Sequence, residues 1–227
     1  EDITYTNDAD VFMKAPGSNA STNTPYEGCF HLNGHDLTAT KTRAIFGSSG
    51  KLNVMGNGTV TGTNTSAEIG SAVQTNNTVA GNTVRLYGDT YKRASGSKGA
   101  VIGTQACGEI YVYEGATLDA PGNKAVIQNA PAYNRNSFVG LFGCTVNGDI
   151  INKGSGSYKS TLEIVDATVN GTVQLADYQL AIAPKAEYTA EFIIVPWNKG
   201  DYFSWINQAR RILDVNMTIT LLPFPSV

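Results

Sequence analysis

The sequence predicts an all-β solenoid of parallel strands, chiefly because one short phrase occurs five times. In each copy, two apolar residues one position apart are followed by a bend, a threonine and another apolar residue. The threonines are 23 to 31 residues apart, a spacing typical of stacked structural repeats. The copies are Leu52-x-Val54…Thr59-Val60, Val84-x-Leu86…Thr90-Tyr91, Ile110-x-Val112…Thr117-Leu118, Val139-x-Leu141…Thr145-Val146 and Leu162-x-Ile164…Thr168-Val169.

Each copy of the phrase predicts a short strand, a bend and a second short strand. Alternate side chains of a strand point to the same face, so the two spaced apolar residues of each copy should point inward. One copy alone is too short to bury an apolar face. Stacking successive turns about 4.8 Å apart would pair every strand with its equivalents above and below.

Composition supports a turn-rich extracellular protein and argues against several functions. The 227 residues include 24 glycines, and Asn and Thr are abundant, which favours tight turns over helix. Only 15% of residues are charged, and the net charge is −3 without a basic cluster. We therefore expect no nucleic-acid partner, because phosphate neutralisation needs clustered Lys and Arg. Since apolar runs are short, we also expect no membrane insertion.

The pattern divides the chain into three parts. Residues 1–29 form an N-terminal segment that joins the first coil, residues 30–186 form the solenoid, and residues 187–227 form a strand, helix and strand. In this last part, residues 191–195 and 217–222 read as strands. Residues 204–213 read as a short amphipathic helix, which we expect to act as a cap or as a joint between subunits. Its apolar positions are Trp205, Ile206, Ala209, Ile212 and Leu213.

Two phrases near the start of the repeats carry a resemblance to a known family. They are Phe30-His31-Leu32-Asn33-Gly34-His35-Asp36-Leu37-Thr38 and Gly50-Lys51-Leu52-Asn53-Val54-Met55-Gly56-Asn57-Gly58-Thr59-Val60-Thr61-Gly62. They resemble β-helix domains of the pectin-lyase-like superfamily, especially those of large bacterial surface proteins. The resemblance covers roughly residues 30–175 and implies a right-handed parallel β-helix that is secreted or displayed on the cell surface. Such motifs specify a fold better than an activity.

The order of segments differs from that of the similar domains. Those domains commonly begin with an amphipathic helix, a T-I-T-L-L strand and then a D-I-T strand. Here the helix and residues 218–222 lie near the C-terminus, while Glu1-Asp2-Ile3-Thr4 opens the chain. The resemblance therefore implies that the last segment of one copy starts a turn that the first segment of the next copy continues. The residues predicted to join copies end to end are Ile3, Thr4, Ile206, Ile219 and Leu221.

Catalytic residues cannot be transferred from the similar enzymes. Polygalacturonate-cleaving members of the superfamily hold calcium with clustered aspartates and use an arginine base, or bring several aspartates together. Neither pattern occurs in this sequence, so we expect a non-catalytic protein without a cofactor, and calcium is not indicated. The nearest alternative catalytic or ion site is Asp89 with Lys92 and Arg93, which otherwise reads as an exposed loop with ordinary charges. The only histidines, His31 and His35, lack an identifiable third metal ligand.

Tyrosines are the candidate ligand-binding residues. Eleven tyrosines against two tryptophans favour contact with carbohydrate or protein, since a phenol combines a flat apolar face with a polar tip. Tyr111 should point outward between inward Ile110 and Val112, whereas alternation does not settle the direction of Tyr87 and Tyr113. A ladder of tyrosines stacked along the solenoid is the alternative interpretation.

Two further features predict contacts between turns. Asn147 and Asn170 each follow a Thr-Val pair, so they should form a hydrogen-bonded ladder. Cys144 takes the place of an alanine in neighbouring repeats and should be a small buried residue, while its pairing with Cys29 or Cys107 stays open. The sequence thus predicts a structural or adhesive module, with a carbohydrate-binding module or carbohydrate-active enzyme as alternatives.

Overall fold

The computed structural model describes residues 1–7, 12–14, 27–75, 82–104, 108–129, 136–154, 157–175 and 180–182. These residues form β-strands and connecting turns, and no helix occurs among them. In chain order the strands are β1 (Ile3–Tyr5), β2 (Phe12–Lys14), β3 (Glu27–His31), β4 (Leu37–Ala39), β5 (Ile45–Ser49), β6 (Lys51–Met55), β7 (Thr59–Gly62), β8 (Gly70–Thr75), β9 (Thr83–Leu86), β10 (Thr90–Arg93), β11 (Ala100–Thr104), β12 (Glu109–Val112), β13 (Thr117–Asn129), β14 (Ser137–Phe142), β15 (Thr145–Lys153), β16 (Ser160–Val165), β17 (Thr168–Asn170), β18 (Val173–Leu175) and β19 (Leu180–Ile182).

Each turn of the chain adds one strand to each of three parallel stacks. The first stack runs β1-β4-β7-β10-β13-β15-β17, and the second runs β2-β5-β8-β11-β13-β15-β18. The long strands β13 and β15 cross both, which joins these stacks into one 12-stranded sheet. The third stack is a separate 7-stranded sheet, β3-β6-β9-β12-β14-β16-β19. The predicted all-β parallel solenoid is confirmed.

The register of the strands follows the repeated phrase. The five threonines of the phrase are direct partners in the first stack, from Thr59 through Thr90, Thr117 and Thr145 to Thr168. The first apolar residues of the five copies align in the third stack in the same way, starting at Leu52 and ending at Leu162. A sequence repeat of unequal spacing therefore becomes an exact spatial repeat, because the extra residues lie in the connections.

The core lies between the stacks and consists of aligned apolar columns. All the residues predicted to point inward are buried, and each is at most 6% exposed. They are Leu52, Val54, Val84, Leu86, Ile110, Val112, Leu162 and Ile164. At about 25 cal/mol per Å² of buried apolar surface, such columns are the main stabilising term of the fold. The prediction of the core is confirmed.

The bend between the third and first stacks requires the same backbone conformation in successive turns. The residue two positions before each aligned threonine, or before Asp36 at the equivalent position of the first turn, has a positive φ between 51° and 80°. Only Gly, Asn and Asp adopt this left-handed conformation readily, which explains the residue types found at the bend. The bend residues are Gly34, Asn57, Gly88, Gly115, Gly143 and Asp166.

Outward side chains of the first stack form a ladder along the solenoid. The Nδ2 of Asn170 donates to Oδ1 of Asn147 at 2.9 Å, and the Nδ2 of Asn147 donates to Oδ1 of Asp119 at 3.3 Å. Lys92 continues the ladder, with its Nζ 3.6 Å from Oδ2 of Asp119. The predicted asparagine ladder is confirmed, and it extends over two more turns than the sequence predicted.

Several predictions fall on residues that the structure does not describe. The strand at 191–195, the helix at 204–213 and the strand at 217–222 lie outside the described residues, as does Cys107. Cys144 is buried and Cys29 is exposed, and both are free thiols. Among the described residues, none belongs to a helix with the length and apolar character needed to span a bilayer.

Candidate functional site

Five aromatic residues lie on the outward side of the third stack, and we call them the aromatic face. Alternation places Tyr111, Phe138 and Phe142 there, because Ile110 and Val112 of β12 and the equivalent apolar residues of β14 point into the core. The other two residues directly follow β9 and β12. All five side chains are half-buried. The aromatic face consists of Tyr87, Tyr111, Tyr113, Phe138 and Phe142.

The rings of the aromatic face are nearly parallel to one another. Tyr87 and Tyr113, in adjacent turns, have centroids 4.7 Å apart and planes inclined by 11°. Tyr113 continues the stack to Phe142 at 5.7 Å and 24°. Tyr111 lies 6.3 Å from Tyr113, and 5.0 Å from Phe138 with a tilt of 35°. The structure therefore brings together all three tyrosines that the sequence singled out.

This spacing determines which part of each ring faces solvent. Two rings lying side by side in one plane with centroids 4.7 Å apart would bring their edge atoms much closer than the contact distance of about 3.5–4.0 Å. Tyr87 and Tyr113 must therefore stack face on face along the solenoid axis. A partner molecule meets their edges and hydroxyl groups, together with the outer surface of the cluster.

A glycine lies beneath the middle of the aromatic face. Gly140 is the partner of Tyr111 in β14, at a position where another outward side chain would stand. A Cβ atom at Gly140 would clash with the ring of Phe142 and would lie 3.0 Å from Cε1 of Phe138. The two phenylalanine rings thus occupy the space that a side chain at Gly140 would need, so a larger residue there would displace them.

Charged and polar side chains border the aromatic face. Oε1 of Glu27 accepts hydrogen bonds from Nδ2 of Asn53 at 2.7 Å and from Nη1 of Arg85 at 2.9 Å. The hydroxyl of Tyr111 donates to Oε2 of Glu109 at 3.1 Å. The hydrogen bond from Asn53 lowers the pKa of Glu27, with a further contribution from the charge of Arg85. Both carboxylate oxygens named here are therefore fixed acceptors beside the rings.

Burial controls the ionisation of the tyrosines. Desolvation, together with the nearby charge of Glu109, raises the pKa of Tyr111 to about 12. Desolvation also raises the pKa of Tyr87. Like ordinary tyrosine hydroxyls, these two groups are protonated at neutral pH and can both donate and accept hydrogen bonds, and the raised pKa extends this state to more alkaline pH.

The residues of the alternative catalytic or ion site have different partners. The expectation of an exposed loop is wrong for Asp89, whose side chain is only 1% exposed. Its Oδ1 accepts from the N–H of Gly58 at 2.9 Å, and its Oδ2 accepts from the hydroxyl of Tyr91 at 3.2 Å. Lys92 instead belongs to the outward ladder, next to Asp119. Burial lowers the pKa of Arg93.

Asp89 occupies a column that otherwise contains small residues. The residue before each aligned threonine is Gly58, Asp89, Ala116, Cys144 or Ala167 in successive turns, which matches the prediction for Cys144. Burial raises the pKa of Asp89, and the hydrogen bonds from Gly58 and Tyr91 oppose this effect. Asp89 thus serves as an internal acceptor for a neighbouring turn in this structure.

The two histidines make separate contacts. Nδ1 of His31 accepts from the N–H of Asn33 at 3.1 Å. Nδ1 of His35 lies 3.4 Å from Oδ1 of Asp2, and its backbone N–H donates to the carbonyl of Leu32 in the turn of the N-G-H-D phrase. Within the described ranges, no group of three His, Cys, Asp or Glu side chains is placed to hold a metal ion.

One end of the solenoid exposes part of a core column. Ile3 of β1 is the partner of Leu37, which in turn is the partner of Val60. Leu37 is 6% exposed and Val60 is fully buried, but Ile3 is 54% exposed. Within the described part of the chain, β1 pairs only with β4. Of the other residues predicted to join copies, Thr4 lies next to Ile3 in β1, and Ile206, Ile219 and Leu221 lie outside the described residues.

Comparison of the chain with protein-family models, with curated proteins and with solved structures gave no match.

Sequence reasoning missed two of the five residues of the aromatic face. Phe138 and Phe142 flank the inward pair Val139 and Leu141, so alternation alone places them outward beside Tyr111. Arg85 and Glu109 could have been found in the same way. The ion pair between Arg85 and Glu27 could not, because these residues come from non-adjacent strands of the third stack.

Proposed function

We propose that this protein is a non-catalytic structural or adhesive module of a secreted or surface-displayed bacterial protein, and that its copies join end to end. The bacterial and extracellular setting, and a right-handed β-helix of the pectin-lyase-like kind, rest on the resemblance of residues 30–175. The end-to-end contact rests on an observation in the structure.

That observation is the exposed isoleucine at the end of a core column. The side chain of Ile3 continues the column of Leu37 and Val60, yet more than half of its surface is open to solvent. An unpaired strand edge with an apolar residue beside it is a template for pairing with another strand. A further turn of solenoid would cover the exposed side chain of Ile3 and continue the first stack beyond β1.

The partner that fits best is the opposite end of another copy. The contact would join two different surfaces, so each added copy leaves a new free end and assembly continues as a filament unless the rotation closes a ring. In this arrangement residues 217–222 of one copy meet residues 3–6 of the next, as the rotated order of segments suggests.

Charge substitution in β1 tests the contact. Ile3→Lys should abolish assembly, because it places an ammonium group where the next turn would pack. Thr4→Lys is the matched control, since it adds the same charge to the adjacent residue on the other side of the strand. Light scattering at increasing concentration should show growth for the wild type and Thr4→Lys only. Equal growth of all three proteins would refute the contact.

Deletion of residues 215–227 tests the other side of the joint. The shortened chain should fold, because the described stacks do not include these residues, but it should no longer elongate. Mixing it with the wild type should shorten the assemblies, since each incorporated copy offers only one competent end. Assembly of the deletion variant to normal length would show that another segment forms the joint.

A second candidate function is glycan binding by the aromatic face. The supporting observation is the cluster of half-buried rings bordered by Glu27, Arg85 and Glu109, because carbohydrate sites combine apolar ring surface with fixed polar groups. Binding should be measured on a glycan array with Tyr111→Ala, and with Tyr111→Phe as the control that keeps the ring. If a bound glycan is retained unchanged by Tyr111→Ala, the aromatic face is not its site.

A further inference from the structure

The chain contains four Asn-Gly peptide bonds, a dipeptide prone to deamidation. The backbone nitrogen of the glycine attacks the side-chain amide carbon of the asparagine, and ammonia leaves with the proton that this nitrogen loses. Water then opens the cyclic imide to aspartate or isoaspartate. Glycine permits the reaction because it has no Cβ to obstruct the approach. The four pairs are Asn33-Gly34, Asn57-Gly58, Asn147-Gly148 and Asn170-Gly171.

Asn57-Gly58 lies at a bend where its attacking nitrogen is held. Asn57 is exposed and has a φ of 59°, so water can reach its amide. The N–H of Gly58, however, donates to Oδ1 of Asp89 at 2.9 Å. Asp89 is 1% exposed and is itself fixed by the hydroxyl of Tyr91. The nitrogen must give up a charge-assisted hydrogen bond before it can react.

Asn170-Gly171 has the same sequence but different surroundings. Both residues are exposed, and the N–H of Gly171 donates to no atom of the described residues. The remaining two pairs are restrained, since the N–H of Gly34 donates to the carbonyl of Gly56 at 2.6 Å and Gly148 is buried within β15.

We propose that Asp89 protects Asn57-Gly58 from deamidation and that Asn170-Gly171 is the bond at which the folded chain deamidates first. This role explains why a carboxylate occupies a column that otherwise contains Gly, Ala and Cys. Modification of Asn170 would remove the amide that donates to Asn147, and isoaspartate would lengthen the backbone of β17 by one carbon.

Peptide mapping by mass spectrometry after incubation in mildly alkaline buffer tests both parts in one sample. In the wild type, product should accumulate at Asn170 before Asn57. Asp89→Ala should speed the reaction at Asn57 by about tenfold or more, the effect of losing a hydrogen bond to a charged group, and leave Asn170 unchanged. The alanine matches Ala116 and Ala167 of the same column, so the fold should tolerate it.

Asp89→Asn is the graded variant, because its carbonyl oxygen can still accept from Gly58 but carries no charge. It should give a rate at Asn57 between those of the wild type and Asp89→Ala. Equal wild-type rates at Asn57 and Asn170, or no change at Asn57 in Asp89→Ala, would overturn the proposal. Equal acceleration of deamidation at all four Asn-Gly bonds in both variants would also overturn it, because the protection would then come from the stability of the whole fold and not from Asp89.

Discussion

Leu162→Ala should strongly destabilise the solenoid. Leu162 is fully buried in a core column, where its backbone partners are Val139 below and Leu180 above. Losing three carbon atoms removes about 2.4 kcal/mol of transfer free energy at about 0.8 kcal/mol per methylene group. Strand pairing on both sides keeps the backbone from closing the cavity, so the total should reach about 3–4 kcal/mol, within the range of 2–5 for buried Leu→Ala changes.

The free energy of unfolding should be measured by urea denaturation, with Glu163→Ala as the matched control. Glu163 is the next residue of β16 and points outward, so its replacement should change stability by less than about 0.5 kcal/mol. A loss below about 1 kcal/mol for Leu162→Ala, or equal losses for the two variants, would refute the stacked core.

Three further predictions concern a bend residue, the buried carboxylate of Asp89 and the absence of catalytic activity. Asp166→Ala should lower stability by about 1–2 kcal/mol relative to Asp166→Gly, because Asp166 has a φ of 51°; urea midpoints of the two variants measure this. Burial raises the folded-state pKa of Asp89, so the wild type should lose stability relative to Asp89→Asn as the pH rises from 3.8 through that raised pKa; parallel unfolding curves across the range decide it, and a constant difference would contradict it. The protein should not cleave polygalacturonate, since its sequence lacks the clustered aspartates with which polygalacturonate-cleaving enzymes work; turnover that Asp89→Asn abolishes would show that it is an enzyme.

The repeat made most of the fold predictable. Two spaced apolar residues, a bend and a threonine determine which side chains point inward and which turns align, and the register of Thr59 with Thr90 shows this directly. The pattern begins at Phe30, yet β1 and β2 also join the stacks. Among the described strands these two pair with one neighbour each, so they need not carry the apolar alternation that identifies the inner strands.

The candidate sites were less predictable because they depend on contacts between turns. The burial of Asp89 requires an N–H donor, Gly58, that lies 31 residues earlier and comes into reach only when the turns stack. The direction of Tyr87 and Tyr113 is set by the bend that follows them, where alternation ends. The alternation within one strand shows which side chains point inward and which point outward. Identifying the contacts between side chains of different turns also requires the register of the strands.

Electron microscopy of concentrated wild-type protein tests the central functional claim most directly. The seven described strands of the third stack should span about 30 Å along the axis at 4.7–4.9 Å per strand. End-to-end joining predicts uniform rods one solenoid wide and many times this length, which Ile3→Lys abolishes. Single short particles at every concentration would contradict end-to-end assembly.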